Sequence, residues 1–381
     1  MNILLYDLTS YIQNDVIYYL KKMGHKCRNI LYKMPNTYED DFFEYKFKKI
    51  MKEDFYDCVI STNFIPLLAR ICYEANMKYI SWIYDSPVNY DNIETFQYPT
   101  SYIFLFDRID AEKITVAGGV HVYHLPLAVN TNRLDQIKIT PKDTAKYGAD
   151  ISFIGMFYDN QLNTIRYCLS DYDKGYLDSI VQSQLQLYGC NIIEPMITDD
   201  FVQKINNSLQ SHTTTKLTAK QIIYCISQQV THIERTTLCH MLGLEHTLKY
   251  YSSAKLKDKD HITWMGTAHY FSEMPVIFKS SRLNLNPTLK SIQSGIPLRA
   301  LDILGSKSVL LSNYQPELAE YFVDGQDVIM YESIEDAIAK ADYYLEHEDL
   351  LKEIADNGYR IVREHFNYPD KIQYMLETAG L

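Results

Sequence analysis

Along the first third of the chain, apolar residues cluster in short continuous runs, and between them they recur every three or four positions. The runs NILLYD (2–7), HKCRNILY (25–32), DCVIS (57–61), KYISWIYD (78–85), SYIFLFD (101–107) and VHVYHLPL (120–127) predict strands. The intervening periodic stretches predict helices: SYIQNDVIYYLKKMG closing at Gly24, a helix near 37–52, one at 64–75 and one at 109–117 stopped by Gly118 and Gly119. Strands alternating with helices are the mark of a parallel sheet wrapped by helices.

A polar stretch, NTNRLDQIKITPKDTAKYGA (130–149), suits a connection. A second alternating series follows: DISFIG (150–155), HITWMG (261–266), RLNLN (282–286), a helix opening at Pro297, SVLLS (308–312), a helix opening at Pro316, DVIMY (327–331) and a helix from Ser333. The residues between Gly155 and His261 are too many for a loop and read as mostly helical. The expectation is an α/β chain of two Rossmann-like domains facing across a cleft. The first covers 1–148; the second covers 149–365 and carries a helical insertion at about 158–250; a C-terminal helix in 366–381 returns to the first.

At 381 residues the chain has the length of two ordinary domains, and 46% hydrophobic with 22% charged residues is a globular composition. It has no apolar run of transmembrane length, and its start reads as a strand rather than a leader, so a cytoplasmic location is expected. Lys and Arg number 37 against 48 Asp and Glu, a net charge of −11 that argues against nucleic acid as a partner. The seven cysteines are scattered and read as reduced, mostly buried thiols, and the 33 tyrosines read as packing residues before sugar-stacking ones.

Ligands of open parallel sheets bind beyond the carboxyl ends of the strands. In the second series that rim holds Gly155, Gly266, Thr267, the 286–295 loop, Asn313, Tyr314 and Gln315, with helix starts at Pro297 and Pro316 suited to an anion such as a diphosphate. Neither a G-x-G-x-x-G nor a P-loop pattern is present. Arg299 and Asp302 share one helix face. They form either an exposed ion pair worth about 0.2–0.5 kcal/mol, or a site in which the guanidinium takes phosphate oxygens and the carboxylate takes sugar hydroxyls. In the first series, Asp85 ends a strand before Ser86-Pro87 and is either a general base or a turn cap. His124, Thr9 and Ser10 are further acceptor-side candidates, Ser10 doubling as a helix cap. The group His232, Glu234, Cys239, His240, Glu245 and His246 has no metal-site spacing and reads as solvated helix faces.

The block LNLNPTLKSIQSGIPLRALDILGSKSVLLSNYQPELAEYFVDGQDVIMYESIEDAIAKADYYLEH resembles the donor-binding half of group 1 glycosyltransferases of the GT-B fold. Together with KYISWIYDSP, YIFLFDRIDAEKI, VYHLPLAVNTNRL and ADISFIGMFYDN, it looks closest to the branch of spore maturation protein CgeB-like enzymes. The resemblance implies a bacterial, cytoplasmic, metal-independent hexosyl- or related transferase without a cofactor. It would bind a nucleotide-sugar donor in the second domain and an unidentified acceptor against the first. It implies Asp302 at ribose or sugar hydroxyls, Arg299 at the diphosphate, Tyr314 and Gln315 along the donor with Glu317 nearby, and Gly266 beside the base. Retaining members commonly hold a glutamate eight residues before the second acid; here that residue is Ser294. A catalytically degenerate nucleotide-binding or scaffold protein of the same fold, and a nucleotide-sugar epimerase, are the alternative functions.

Overall fold

The computed structural model describes residues 1–7, 10–88, 92–158, 162–210, 214, 216–257 and 261–381. They divide into two compact units, Met1–Thr131 with Val362–Leu381, and Asn132–Ile361.

The first unit holds β1 (Asn2–Asp7), β2 (Lys26–Leu31), β3 (Cys58–Thr62), β4 (Lys78–Ile83), β5 (Ser101–Leu105) and β6 (Val122–His124). They pair in parallel in the order β2-β1-β3-β4-β5-β6. Helices cover both faces, which is why the central strands are continuously apolar; every residue of β3 is buried. Gly24, with φ +88°, ends the helix Gln13–Lys22 in a conformation other residues reach only under strain. The C-terminal helix Tyr368–Thr378 packs within this unit, its Tyr368 ring stacked on Tyr19 at 5.4 Å and edge-on to Trp82 at 6.0 Å.

The second unit holds β7 (Ala149–Ile154), β8 (Leu248–Tyr251), β9 (Thr263–Trp264), β10 (Ser281–Asn286), β11 (Leu310–Asn313) and β12 (Ile329–Tyr331), parallel in the order β12-β11-β10-β7-β8-β9. Two Rossmann-like sheets in one chain make the GT-B fold. Strand β8 is absent from the sequence reading: its four residues, LKYY, lie in the stretch taken as insertion and directly follow the helix Ala219–Glu245.

The helices Leu162–Cys168, Asp171–Leu185, Ile193–Met196 and Asp199–Leu209, with the first half of Ala219–Glu245, form an apolar core of their own around Leu177, Ile193, Ile205 and Ile226. The second half of the long helix contributes Leu238, Cys239 and Leu242 to the sheet's core. It is therefore both insertion and crossover. The polar 130–149 stretch, where the two units divide, carries the helices Thr131–Asp135 and Pro141–Tyr147, the latter started by a reciprocal Thr140–Asp143 capping box.

Candidate functional site

From β7 the chain steps outward to β8 and β9, then returns to β10 on the other side of β7. Where strand order reverses, the connections leave opposite faces and open a crevice at the carboxyl ends. Here that crevice lies beyond β7 and β10, bordered by residues 155–158, residues 287–297 and the helix Leu298–Gly305.

Polar side chains fix these loops. The alternation in RLNLN puts Asn284 and Asn286 on one face of β10. Asn284 accepts from Ser152 Oγ at 2.7 Å, and Asn286 Nδ2 reaches Ser312 Oγ at 3.1 Å. Asn313, at the end of β11, accepts the Thr288 amide at 2.7 Å and so shapes the loop after β10. Tyr314 packs its ring against Gly189, Gln315 Nε2 donates to Ile292 O at 3.3 Å, and Gly189, Asn191, Lys290 and Gln315 line a small recess. Gly155 donates its amide to Tyr251 O at 3.0 Å.

Arg299 is half-buried and donates from Nη1 to Ile154 O at 2.5 Å, tying the helix Leu298–Gly305 to the end of β7. Asp302 is only 4% exposed, and its Oδ1 accepts from Tyr270 Oη at 3.0 Å. Burial of Asp302 removes the exposed-ion-pair reading of these residues. Glu317 is fully buried, with Oε1 accepting from Ser294 Oγ at 2.7 Å, while its amide donates to Ser294 O at 3.1 Å. The Glu317 amide, in the first turn of the helix Pro316–Tyr321, is thus satisfied by the chain itself, and a carboxylate stands beside Ser294. Gly266 and Thr267 lie past the edge strand β9. Gly266 has φ +79° with open space where a side chain would project, and Thr267 is exposed.

The sequence reading expected helix here but named no crevice residue on the long helix Ala219–Glu245. Arg235 donates to Met156 O at 2.6 Å and to Pro287 O at 3.0 and 2.6 Å. Glu234 is fully buried and pairs with Lys290 Nζ at 3.0 Å, while Tyr331 Oη donates to it at 3.3 Å. Burial, and after it the neighbouring Glu234 carboxylate, push the Tyr331 hydroxyl well above its ordinary pKa. The expectation of solvated faces therefore fails for Glu234 and for buried Cys239. The rest of that group is dispersed: His232 contacts Phe157 O at 2.6 Å, His240 contacts His261 at 2.9 Å, and His246 contacts Asp342 at 2.6 Å. A signal for Glu234 existed, because it interrupts the four-residue repeat Ile222, Ile226, Val230, Leu238, Leu242 at an apolar position.

In the first unit, Asp85 follows β4 at the surface and accepts from Asn63 Nδ2 at 2.7 Å. Asn63, at φ +68°, also takes the Tyr84 and Asp85 amides on its Oδ1. The chain packed behind the Asp85 carboxylate raises its pKa, an effect the Asn63 bond opposes. Ser10 does not cap the first helix, whose N-cap is Ile12; its hydroxyl meets Thr62 Oγ1 at 2.7 Å, at the end of β3. His124 ends the edge strand β6. Thr9 lies outside the described residues.

Residues 243–377 match the family model described as glycosyl transferase-like. Among curated proteins none matches the chain. Among solved structures, HepE of Anabaena in complex with UDP-glucose is similar over 100% of this chain and 99% of its own, at 12% identity and TM-score 0.56. Sucrose-phosphate synthase of Thermosynechococcus elongatus is similar over 99% and 98%, at 10% identity and TM-score 0.59. A UDP-forming trehalose-phosphate synthase of Burkholderia xenovorans is similar over 100% and 98%, at 11% identity and TM-score 0.51. With two six-stranded parallel sheets, and with those structures similar over nearly the whole chain, the chain has the GT-B fold, and its segment 243–377, mostly in the second unit, is similar to the glycosyl transferase-like family.

Proposed function

We propose that the chain moves a sugar, a hexose or a close relative, from a nucleotide-sugar donor to an acceptor hydroxyl. The observation that carries this reading is the β7/β10 crevice in the unit bearing the glycosyl transferase-like segment, with Arg299 and buried Asp302 on one bordering helix. Asp302 accepts hydrogen bonds from vicinal hydroxyls of the donor. Arg299 and the first amides of the helix Leu298–Gly305 face the diphosphate and stabilise the charge that grows on it as the anomeric C–O bond breaks. These groups take the part a divalent cation plays elsewhere, so we assign no metal to the reaction.

Gly155, Tyr314 and Gln315 line the donor, Gly266 and Thr267 stand on its base side, and Asn313 and Glu317 act through the loops they hold. We assign the acceptor to the first unit, where Asp85 takes the proton from the attacking hydroxyl as the new C–O bond forms, with Thr9, Ser10 and His124 as further acceptor-side residues. The CgeB-like branch of group 1 enzymes and a cytoplasmic location belong to the same reading; no helix among the described residues is long and apolar enough to cross a membrane. A catalytic rather than scaffold role is favoured by the Glu317 carboxylate beside Ser294.

The test is release of nucleoside diphosphate from a panel of nucleotide sugars, UDP-glucose first, with and without a panel of hydroxyl acceptors. One donor is expected to yield nucleoside diphosphate and glycoside in equal amounts, undiminished by EDTA. Arg299→Ala is expected to lower the rate at least about 100-fold with its circular dichroism unchanged. Full turnover by that variant, or inactivity with every donor and acceptor, would sink the reading.

A further inference from the structure

We infer that Arg235, on the inserted segment's long helix, is a positioning residue for the nucleotide-binding crevice; this rests on the function proposed above. The guanidinium spends all three nitrogens on two backbone carbonyls, Nη1 on Met156 O and both Nε and Nη2 on Pro287 O. Met156 follows β7 and Pro287 follows β10, so one side chain ties together the two loops that border the crevice. The bonds are charge-assisted and the side chain is 8% exposed, so water does not compete for them. The rings of Phe153 and Tyr158, 5.5 and 5.0 Å from the guanidinium carbon, flank it.

A planar peptide holds its C=O and the following N–H in opposite directions. Drawing Pro287 O toward Arg235 turns the Thr288 amide away, onto Asn313 at 2.7 Å. Drawing Met156 O the same way turns the Phe157 amide to the far side of its loop. The same helix adds His232, whose Nδ1 contacts Phe157 O at 2.6 Å, and Thr231, whose hydroxyl accepts the Lys290 amide at 3.0 Å. Residues 155–158 and 287–290 are thus gripped from one helix at the place where strand order reverses. A lysine has a single ammonium centre and does not reproduce the planar fork.

Arg235→Ala and Arg235→Lys are compared with the wild-type chain in calorimetric titrations with UDP, ADP and GDP, alongside hydrogen exchange of the amides in 155–158 and 288–290. Both variants are expected to lose at least about tenfold in affinity for the nucleotide the wild type prefers. Their loop amides exchange faster while the sheet's amides keep the wild-type rate. Methylguanidine at millimolar concentration restores affinity to Arg235→Ala by filling the vacated fork. Affinity within about twofold of wild type in Arg235→Ala, or weakened affinity with loop exchange unchanged, overturns the inference. If the alanine variant does not fold, the lysine variant decides by the same two readouts. A wild-type chain that binds none of the three nucleotides defeats the functional reading itself, and that failure appears before any substitution is made.

Discussion

Glu234 sits at an apolar position of a helical repeat, fully buried, and it is tolerable there because Lys290 and Tyr331 meet its two oxygens. A buried ion pair gains little over well-packed apolar residues, yet breaking it leaves one charge stranded at a cost of about 3–5 kcal/mol. Glu234→Gln is therefore expected to lower unfolding free energy in denaturant titrations by that order, and Glu234→Leu combined with Lys290→Met to recover most of it. Equal stability of wild type and Glu234→Gln would remove the pair from the account. Asp85 allows a test by pH. Burial of its carboxylate holds its pKa above the ordinary aspartate value, so a base that must be deprotonated loses activity as pH falls through that raised value, before an unperturbed carboxylate at about 3.9 would. The acid limb of kcat/KM should disappear in Asp85→Asn together with most activity; an unchanged limb assigns the base elsewhere.

At the scale of elements, the strands that sequence makes legible are the ones with long apolar runs. β1, β3, β4, β5 and β7 are marked by such runs, since parallel strands covered on both faces need no polar face, whereas β10 alternates and its buried Asn284 and Asn286 are satisfied by Ser152 and Ser312. β8 was missed because LKYY is short and abuts a 27-residue helix whose periodicity dominates the window. The rim residues were legible in part. Arg299 and Asp302 stand out as candidates in the sequence because they share a short helix inside the block that resembles a donor site. Arg235 was not, because its partners Met156 and Pro287 are 79 and 52 positions away and the contacts are to backbone, which carries no side-chain signature. The helical insertion closely meets Tyr314, the residue after β11. A Cβ on Gly189, itself at φ +74°, would stand 2.6 Å from the Tyr314 ring. Gly189→Ala should cost more than about 1 kcal/mol, and removing the ring in Gly189→Ala with Tyr314→Ala should relieve the steric part only. A thermal melt unchanged in Gly189→Ala would contradict the contact.

For the whole molecule, two separate cores give each unit its own protected thiols. Cys58 in the first and Cys239 in the second are pushed up to about 12 by burial, and Cys72 is buried with them. The other cysteines are less enclosed than the sequence suggested: Cys27, Cys168 and Cys225 are half-buried and Cys190 is exposed. Because the thiolate is the reactive form, a disulfide reagent at neutral pH should label Cys190 first and the three buried thiols only on unfolding. Early labelling of Cys239 would contradict the packing of the long helix on the second sheet. The central claim is that the second unit's strand-end crevice holds a nucleoside diphosphate with Asp302 on its sugar. The direct measurement is calorimetric titration of UDP, ADP and GDP into the wild-type chain and into Asp302→Asn. One nucleotide should bind the wild type with 1:1 stoichiometry, and Asp302→Asn should bind it at least about tenfold more weakly, about 1.4 kcal/mol. Absence of binding by all three, or equal affinity in the two proteins, would contradict it.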